Sequence, residues 1–411
     1  MLMQHWPVRR RVLANYRRSL WPEGKSEGQT SPATLSPMEV GTSRCSSGYD
    51  ARDRSMKSET LKQPSMNAPA TLASPASMPL LGSLVRRPEM GSLIGLVAVF
   101  TFFSVFGGET FVSAGGAASW LNVASELGII ALPVGLLMIA GHLDLSVGSV
   151  LPASSMTVAI VSGHFRAPII VGILAALSLG LIVGFINGLL VIRTRVPSFV
   201  VTLATLFALA GLTLGFSVIL TGSTSVALKS APLAKGLLGD YVGGKFEVTI
   251  FWWIAVVLIV GFILNFSRYG NWILAMGGDG VSARNAGIPT DRVTIALFMS
   301  SGLCAAFVGM SQAILYNSAQ VAAGQSFIFN SIIAVVIGGV LLTGGYGSVV
   351  GIVLGTLTFS IVNQGIFYTG FDANWASLII GVLLLLAVLM NNTFRKMALT
   401  YAPRAKTKAR S

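Results

Sequence analysis

Four polar side chains lie in otherwise apolar stretches of the sequence, and they are the best candidates for specific chemistry. They are Asp144, Asn187, Asn363 and Gln364. A carboxylate accepts hydrogen bonds, whereas a carboxamide both donates and accepts them. Because such groups need partners in apolar surroundings, they either tie neighbouring helices together or line a path for a polar solute.

The context of Asp144 allows two interpretations. The residue stands in the segment Gly141-His142-Leu143-Asp144-Leu145-Ser146-Val147-Gly148-Ser149. Its carboxylate can cap the helix that follows, because it can accept from the free N–H groups at a helix start. The segment is then either a plain capped turn or a fixed hinge beside a translocation path.

The three carboxamides lie in two segments. Asn187 stands in Ile186-Asn187-Gly188-Leu189-Leu190 and is either a link between helices or a polar group that faces a path. Asn363 and Gln364 end a stretch that begins with Leu342-Thr343-Gly344-Gly345-Tyr346-Gly347-Ser348. The glycines of that segment permit a sharp reversal or a tightly packed helix start.

Motifs of catalysis and of metal binding are missing from the sequence. It contains no G-x-x-x-x-G-K-[ST] loop, no H-E-x-x-H and no nucleophile elbow. Its histidines (His5, His142 and His164) are scattered, and Cys45 and Cys304 do not have the spacing of metal ligands. We therefore expect no enzyme, no metal site and no cofactor in this chain, and any ATP must be bound by a separate subunit.

The composition indicates an all-α integral membrane protein. Hydrophobic residues make up 53% and charged residues only 10% of the 411 residues, whereas a soluble domain has about 25% charged residues. The net charge of +13 could suggest a nucleic-acid partner, but membrane proteins also concentrate Lys and Arg on their cytoplasmic side. We expect membrane lipid around the chain and no nucleic acid.

Long stretches without charge predict the spanning helices. No charged residue occurs in 167–192, 196–228 or 293–371, and a span needs about 20 apolar residues. Because Gly and Pro interrupt several stretches, we expect some helices to be broken or partly inserted. We predict about ten helices, at 91–107, 121–141, 147–163, 168–192, 197–221, 248–266, 293–315, 328–344, 348–367 and 376–391.

The two ends of the chain differ in composition from the membrane domain, predicted at 89–395. Residues 1–88 are rich in Ser, Pro and Arg and have no apolar period, which predicts a disordered cytoplasmic tail. An alternative is that translation begins at Met56, Met66 or Met78. Residues 396–411 form a second tail, which is basic and predicted to be cytoplasmic.

The distribution of basic residues predicts that both termini face the cytoplasm. With this topology, the connections on the inside hold most of the Lys and Arg, and the opposite topology would invert the bias. The inside set is both tails with Arg193, Arg195, Arg268, Arg284 and Arg292, and the outside set is Arg166, Lys229, Lys235 and Lys245.

The longest predicted inside loop, 267–292, has the signals of a helix of its own. Asp279 can cap the start, Gly287 can end the helix, and Pro289 prevents its continuation. A short helix between two spans is a surface that a soluble partner can grip, whereas the alternative is a solvated linker. The residues that we assign to this coupling loop are Asp279, Ala283, Arg284, Ala286 and Gly287.

At these segments the chain resembles the sugar-type permeases of bacterial ABC importers, relatives of the ribose and xylose transporters within the branched-chain permease superfamily. The G-G-I-D-L-S-V-G-S motif of that family resembles Gly141–Ser149, with His142 and Leu143 substituted, and its N-G-L-L helix matches Asn187–Leu190. Its R-[FY]-G loop resembles Arg268–Ile288, and its L-x-G-G-x-G-S segment resembles Leu342–Val349. After Gly278, this chain has Asp-Gly-Val where the family commonly has Asn-Pro-Glu.

The resemblance implies a transmembrane permease subunit that forms the path for a simple sugar across the bacterial inner membrane. It also implies three partners: a second permease subunit, identical or different, a cytoplasmic ABC ATPase and a periplasmic sugar-binding protein. A branched-chain amino-acid permease of the same superfamily is the alternative. A secondary transporter would need ionisable groups at membrane depth, and Glu126 and Asp144 both lie towards predicted helix ends. A membrane-embedded enzyme lacks a catalytic set.

Overall fold

The computed structural model describes residues 89–370 and, beyond them, residues 378, 381, 382, 385, 386 and 389. Both predicted tails and most of the predicted helix 376–391 lie outside the described residues. Within 89–370 the chain is mainly helical and has two small antiparallel sheets.

The helices are numbered here in chain order. They are α1 Met90–Phe106, α2 Gly108–Val112, α3 Ala114–Ile139, α4 Val147–Val158, α5 Ile169–Thr194, α6 Ser198–Thr221, α7 Pro232–Leu238, α8 Thr249–Phe266, α9 Arg268–Gly278, α10 Gly280–Asn285, α11 Thr290–Tyr316, α12 Gln325–Ile337 and α13 Val349–Gly365. Helix α4 continues as a π-helical segment, Ala159–His164, and α13 continues as the 3₁₀ turn Ile366–Tyr368.

Six helices in the described part of the chain are long and apolar enough to cross a membrane. They are α3, α5, α6, α8, α11 and α13 with its 3₁₀ turn. Helices α1 and α12 are apolar but have only 17 and 13 residues. Helix α4 has 12 residues before its π-helical segment. The helical membrane class is therefore confirmed, whereas the prediction of about ten spans is not.

Helix α3 is the centre of the fold. It packs against α8, α11, α12 and α13, and all of its residues from Ala124 to Ile139 are buried. Helix α6, by contrast, exposes most of its apolar side chains, including Phe207 and Ile219. A helix that is apolar on all sides is buried in protein or surrounded by lipid. We assign α3 to the protein interior and α6 to the lipid boundary.

Contacts between the connections show which of them lie at the same end of the bundle. At one end the loop after α3 meets the start of α6, where the Leu143 N–H donates to Ser198 Oγ at 3.0 Å. The five arginines predicted to lie inside all belong to connections or helix termini at this end, which we call the basic end.

The other end, which we call the sheet end, carries the strands. Here β1 Ser225–Ala227 pairs with β4 Ser318–Gln320, and β2 Tyr241–Val242 pairs with β3 Phe246–Glu247. The side chain of Asn122 in α3 donates to Lys245 O at 3.0 Å and thereby connects α3 to the second pair.

Candidate functional site

The predicted coupling loop forms two helices at the basic end. Ser267 caps α9, because its hydroxyl accepts from the Tyr269 N–H at 3.1 Å. The helix α10 begins where the sequence predicted it: Asp279 Oδ1 accepts from the Val281 N–H at 3.0 Å, and Ser282 Oγ donates to Asp279 Oδ2 at 2.5 Å. These hydrogen bonds hold the pKa of the exposed Asp279 carboxyl below its usual value.

The end of α10 is a Schellman motif at Gly287. The Ile288 N–H donates to Ala283 O at 3.1 Å and the Gly287 N–H donates to Arg284 O at 3.0 Å. Gly287 has φ +84°, the left-handed conformation that this motif requires at its penultimate position. The predicted glycine end of the helix is confirmed.

The surface of α10 differs in part from the prediction. Ala283 is only 4% exposed and faces the bundle, so it supports the helix rather than presenting a surface. Ala286 and Arg284 are exposed, and Val281, which the sequence analysis did not single out, is 71% exposed. Arg284 forms an ion pair with Asp291 at the start of α11. The α10 helix thus presents small and apolar groups to solvent while remaining anchored to a spanning helix.

The structure joins Asp144 and Asn187 in one buried network. Asp144 Oδ1 accepts from Ser146 Oγ at 2.6 Å and from the Ser146 N–H at 3.0 Å. Asn187 Nδ2 donates to Ser146 Oγ at 2.9 Å, and Asn187 Oδ1 accepts from Thr205 Oγ1 at 2.6 Å. The network links the loop before α4 to α5 and α6. It confirms that Asn187 finds partners across helices.

The prediction that Asp144 caps the following helix is wrong. The residue before the first turn of α4 is Ser146, and no side chain caps that turn. The Asp144 carboxylate bonds instead to the hydroxyl and N–H of Ser146, one residue before the helix begins. Asp144 is only 1% exposed.

Asn363 and Gln364 occupy a different part of the bundle. Both are half-buried near the end of α13, and Gln364 Nε2 donates to Asn363 Oδ1 at 2.9 Å. A few residues later the Tyr368 hydroxyl meets Ser119 Oγ of α3 at 3.0 Å. This pair therefore lies towards the sheet end, and the Asp144–Asn187 network lies at the basic end.

A buried acidic cluster at the sheet end was missed by the sequence analysis. Glu126 lies within α3, not near its end, and is 8% exposed. Gln312 Nε2 of α11 donates to Glu126 Oε2 at 2.9 Å. Glu247 is 5% exposed and accepts from Thr249 Oγ1 at 3.0 Å. Burial raises the pKa of the Glu247 carboxyl.

Comparison with known proteins decides between the function classes that this geometry allows. The family described as the permease component of the branched-chain amino acid transport system matches residues 116–388. The chain belongs to this permease family. The match contains every candidate site residue named above. It favours a transport permease over an enzyme.

Several similar proteins are named for the sugars that they import. The chain is 29% identical to the fructose import permease protein of Rhizobium meliloti, over 77% of this chain and 88% of that protein. It is 31% identical to the ribose import permease protein of Escherichia coli strain K12, over 74% of this chain and 94% of that protein. It is 28% identical to the xylose transport system permease protein of Haemophilus influenzae, over 74% of this chain and 96% of that protein.

Proposed function

We propose that this chain is the transmembrane permease subunit of an ATP-driven importer that carries a monosaccharide or a related polyol across the bacterial inner membrane. The observation that carries the proposal is the similarity to fructose and ribose import permeases over 88% and 94% of their own lengths. The same similarity favours a sugar over the branched-chain amino acid of the family description.

The proposal requires partners, because an importer of this kind needs an energy source. The sequence has no phosphate-binding loop, and a cytoplasmic ABC ATPase would supply the ATP site. A periplasmic sugar-binding protein would deliver the substrate, and a second permease subunit, identical or different, would complete the path. The exposed α10 with Asp279, Arg284, Ala286 and Gly287 is the proposed contact of the ATPase, and the buried Ala283 supports it from below.

The proposed topology places the basic end in the cytoplasm. The basic end contains Arg193, Arg195, Arg268, Arg284 and Arg292, which agrees with the excess of positive charge found in cytoplasmic connections. Both termini are then cytoplasmic and the sheet end faces the periplasm. A reporter that is active only in the cytoplasm, fused to Ser411, tests the topology; an inactive reporter on an inserted fusion contradicts it.

We also propose roles on or beside the translocation path for four residues, namely Asp144, Asn187, Asn363 and Gln364. Asn363 and Gln364 are half-buried and lie towards the proposed periplasmic side, so their amides can meet a solute that enters there. Asp144 bonds to Ser146 through Oδ1, and Asn187 bonds to Ser146 and Thr205. Their proposed role is to fix the hinge beside the path.

Uptake measurements test the proposed function. The chain is produced with its cognate ATPase and sugar-binding protein in cells that lack importers for fructose, ribose, xylose and galactose. We expect uptake of at least one labelled sugar, and loss of that uptake when the ATPase carries an inactive phosphate-binding loop. Uptake of leucine but of no sugar would support the amino-acid alternative. Sugar uptake that persists with the inactive ATPase would support a secondary transporter.

A further inference from the structure

Three elements of the basic end meet at one backbone carbonyl, that of Ile139. Helix α3 ends here, so this carbonyl is among the last four, which have no partner within the helix. The Gly345 N–H, from the loop between α12 and α13, donates to Ile139 O at 2.8 Å. This hydrogen bond joins the central helix to that loop.

Gly277 of α9 packs directly onto the same carbonyl. A Cβ at position 277 would lie 1.7 Å from Ile139 O and 2.3 Å from Gly345 N, distances at which atoms cannot coexist. A Cβ at Gly344 would in turn lie 3.0 Å from Gly277 O and from the Cα of Gly141. We call Gly141, Gly277, Gly344 and Gly345 the glycine junction.

The glycine junction is continuous with α10 on one side. Gly277 and Gly278 are the last residues of α9, and the next residue, Asp279, caps α10. No flexible linker separates the exposed helix from the junction. A displacement of α10 therefore acts on the backbone atoms that touch Ile139.

On the other side the junction is continuous with α3, which reaches the sheet end. Its 26 residues correspond to a rod of about 39 Å at about 1.5 Å per residue. Near its far end, Asn122 accepts from the Glu247 N–H at 2.9 Å and donates to Lys245 O at 3.0 Å. Ser119 meets the Tyr368 hydroxyl. The helix is continuous through Pro133, and because protein interiors are close-packed, a push on one end of the buried α3 shifts it rather than compressing it.

We infer that the glycine junction is the mechanical link that passes movement of α10 to α3 and so to the sheet end, and that Gly277 is its positioning residue. The inference rests on the proposed function, because it takes α10 as the contact of the ATPase. The missing side chain at position 277 lets α9, α3 and the α12–α13 loop pack backbone to backbone. A methyl group there would separate α9 from Ile139 and break the hydrogen bond from Gly345.

A matched pair of alanine substitutions tests the link. Gly278 is the neighbour of Gly277 in the same helix, and a Cβ there would meet nothing within 4 Å. Each variant is assembled with the ATPase and the binding protein, and sugar uptake and ATP hydrolysis are measured together. We expect Gly278→Ala to keep the ratio of uptake to hydrolysis. Gly277→Ala should lower it by roughly 2- to 30-fold, the range over which residues between coupled sites change coupling.

The ratio separates positioning from a merely structural role, because a loss of folded protein lowers uptake and hydrolysis in proportion. An unchanged ratio in Gly277→Ala overturns the inference. A failure of the proposed function appears differently, since wild type and Gly278→Ala would then import no sugar.

Hydrogen exchange in the wild-type complex gives a second test, which holds even if Gly277→Ala does not insert. Trapping the ATPase with ATP should change exchange in 268–286, in 338–347 and at the end of α3 together. A change confined to 268–286 overturns the link.

Discussion

A pair of glycine-to-alanine substitutions tests whether the shape of α10 governs coupling. Gly287 has φ +84° and Gly280 does not have a positive φ. A Cβ at either position would meet nothing within 4 Å. Both substitutions therefore add one methyl group to open space on the same short helix. They differ mainly in the backbone conformation that the new alanine must adopt.

The expected magnitude follows from that difference. A left-handed conformation costs an L-residue roughly 1–2 kcal/mol, so Gly287→Ala should destabilise the end of α10 by about that amount. Gly280→Ala removes a helical glycine and should stabilise α10 by up to about 1 kcal/mol. The difference of about 1–3 kcal/mol corresponds to roughly a 5- to 150-fold change in the local opening equilibrium. A helix of six residues has no stability of its own to absorb this change.

Hydrogen exchange over 279–290 measures the opening, and co-purified ATPase with sugar uptake measures its consequence. We expect faster exchange, weaker ATPase retention and lower uptake for Gly287→Ala, and values equal to wild type or better for Gly280→Ala. Equal exchange in the two variants would refute the backbone argument. Faster exchange in Gly287→Ala with normal retention and uptake would refute the coupling role and establish a solvated linker.

Three further perturbations have distinct expected outcomes. Ala286→Trp places a large side chain on the exposed face of α10 and should abolish both ATPase retention, measured by co-purification, and sugar uptake. The amount of inserted protein, measured by membrane immunoblotting, should not fall. Normal ATPase retention contradicts the proposed contact between α10 and the ATPase. Asn187→Ala removes the partner of Ser146 and Thr205 and should lower the free energy of unfolding by about 1–3 kcal/mol in detergent; lost uptake at unchanged stability would instead indicate a path residue. Glu247→Gln should flatten the pH dependence of thermal stability. Because the folded-state pKa of Glu247 is raised, the wild type loses stability as the pH rises from the unfolded-state pKa of about 4.3 through the folded-state pKa. Equal slopes of stability against pH in the two proteins contradict the raised pKa of Glu247.

Local side-chain chemistry explains why α10 could be predicted from the sequence. Asp279 and Gly287 act within a few residues of their own positions, through the hydroxyl of Ser282 and through a left-handed turn. Short-range patterns of this kind need no knowledge of the tertiary fold. The membrane class likewise follows from composition alone.

An unrecognised helix cap and a long-range contact explain what the sequence did not reveal. Helix α3 begins at Ala114 rather than near 121, because the Ser113 hydroxyl accepts from the Gly116 N–H at 3.1 Å and starts the helix within a glycine pair. That earlier start places Glu126 at the middle of the helix rather than near its beginning. Its partner, Gln312, is 186 residues away in the chain. The sequence shows Glu126 and Gln312 as single polar residues in two separate apolar stretches. Nothing in either stretch indicates that the two side chains bond to each other.

The position of the polar groups along α3 bears on how the proposed importer would work. Between Leu127 and Ile139 the helix has only apolar side chains and glycine, all of them buried, so neighbouring helices contact it through packing alone. Directional hydrogen bonds act instead on Ile139 at the basic end and on Asn122 and Glu126 in the half of the helix towards the sheet end. Packing contacts tolerate small sliding movements, as in shear motions of packed helices, whereas hydrogen bonds fix direction and register. A helix built in this way can shift along its axis while it stays bonded to Gly345 at the basic end and to the β2–β3 connection at the sheet end. Such a shift would carry movement from one end of the proposed importer to the other.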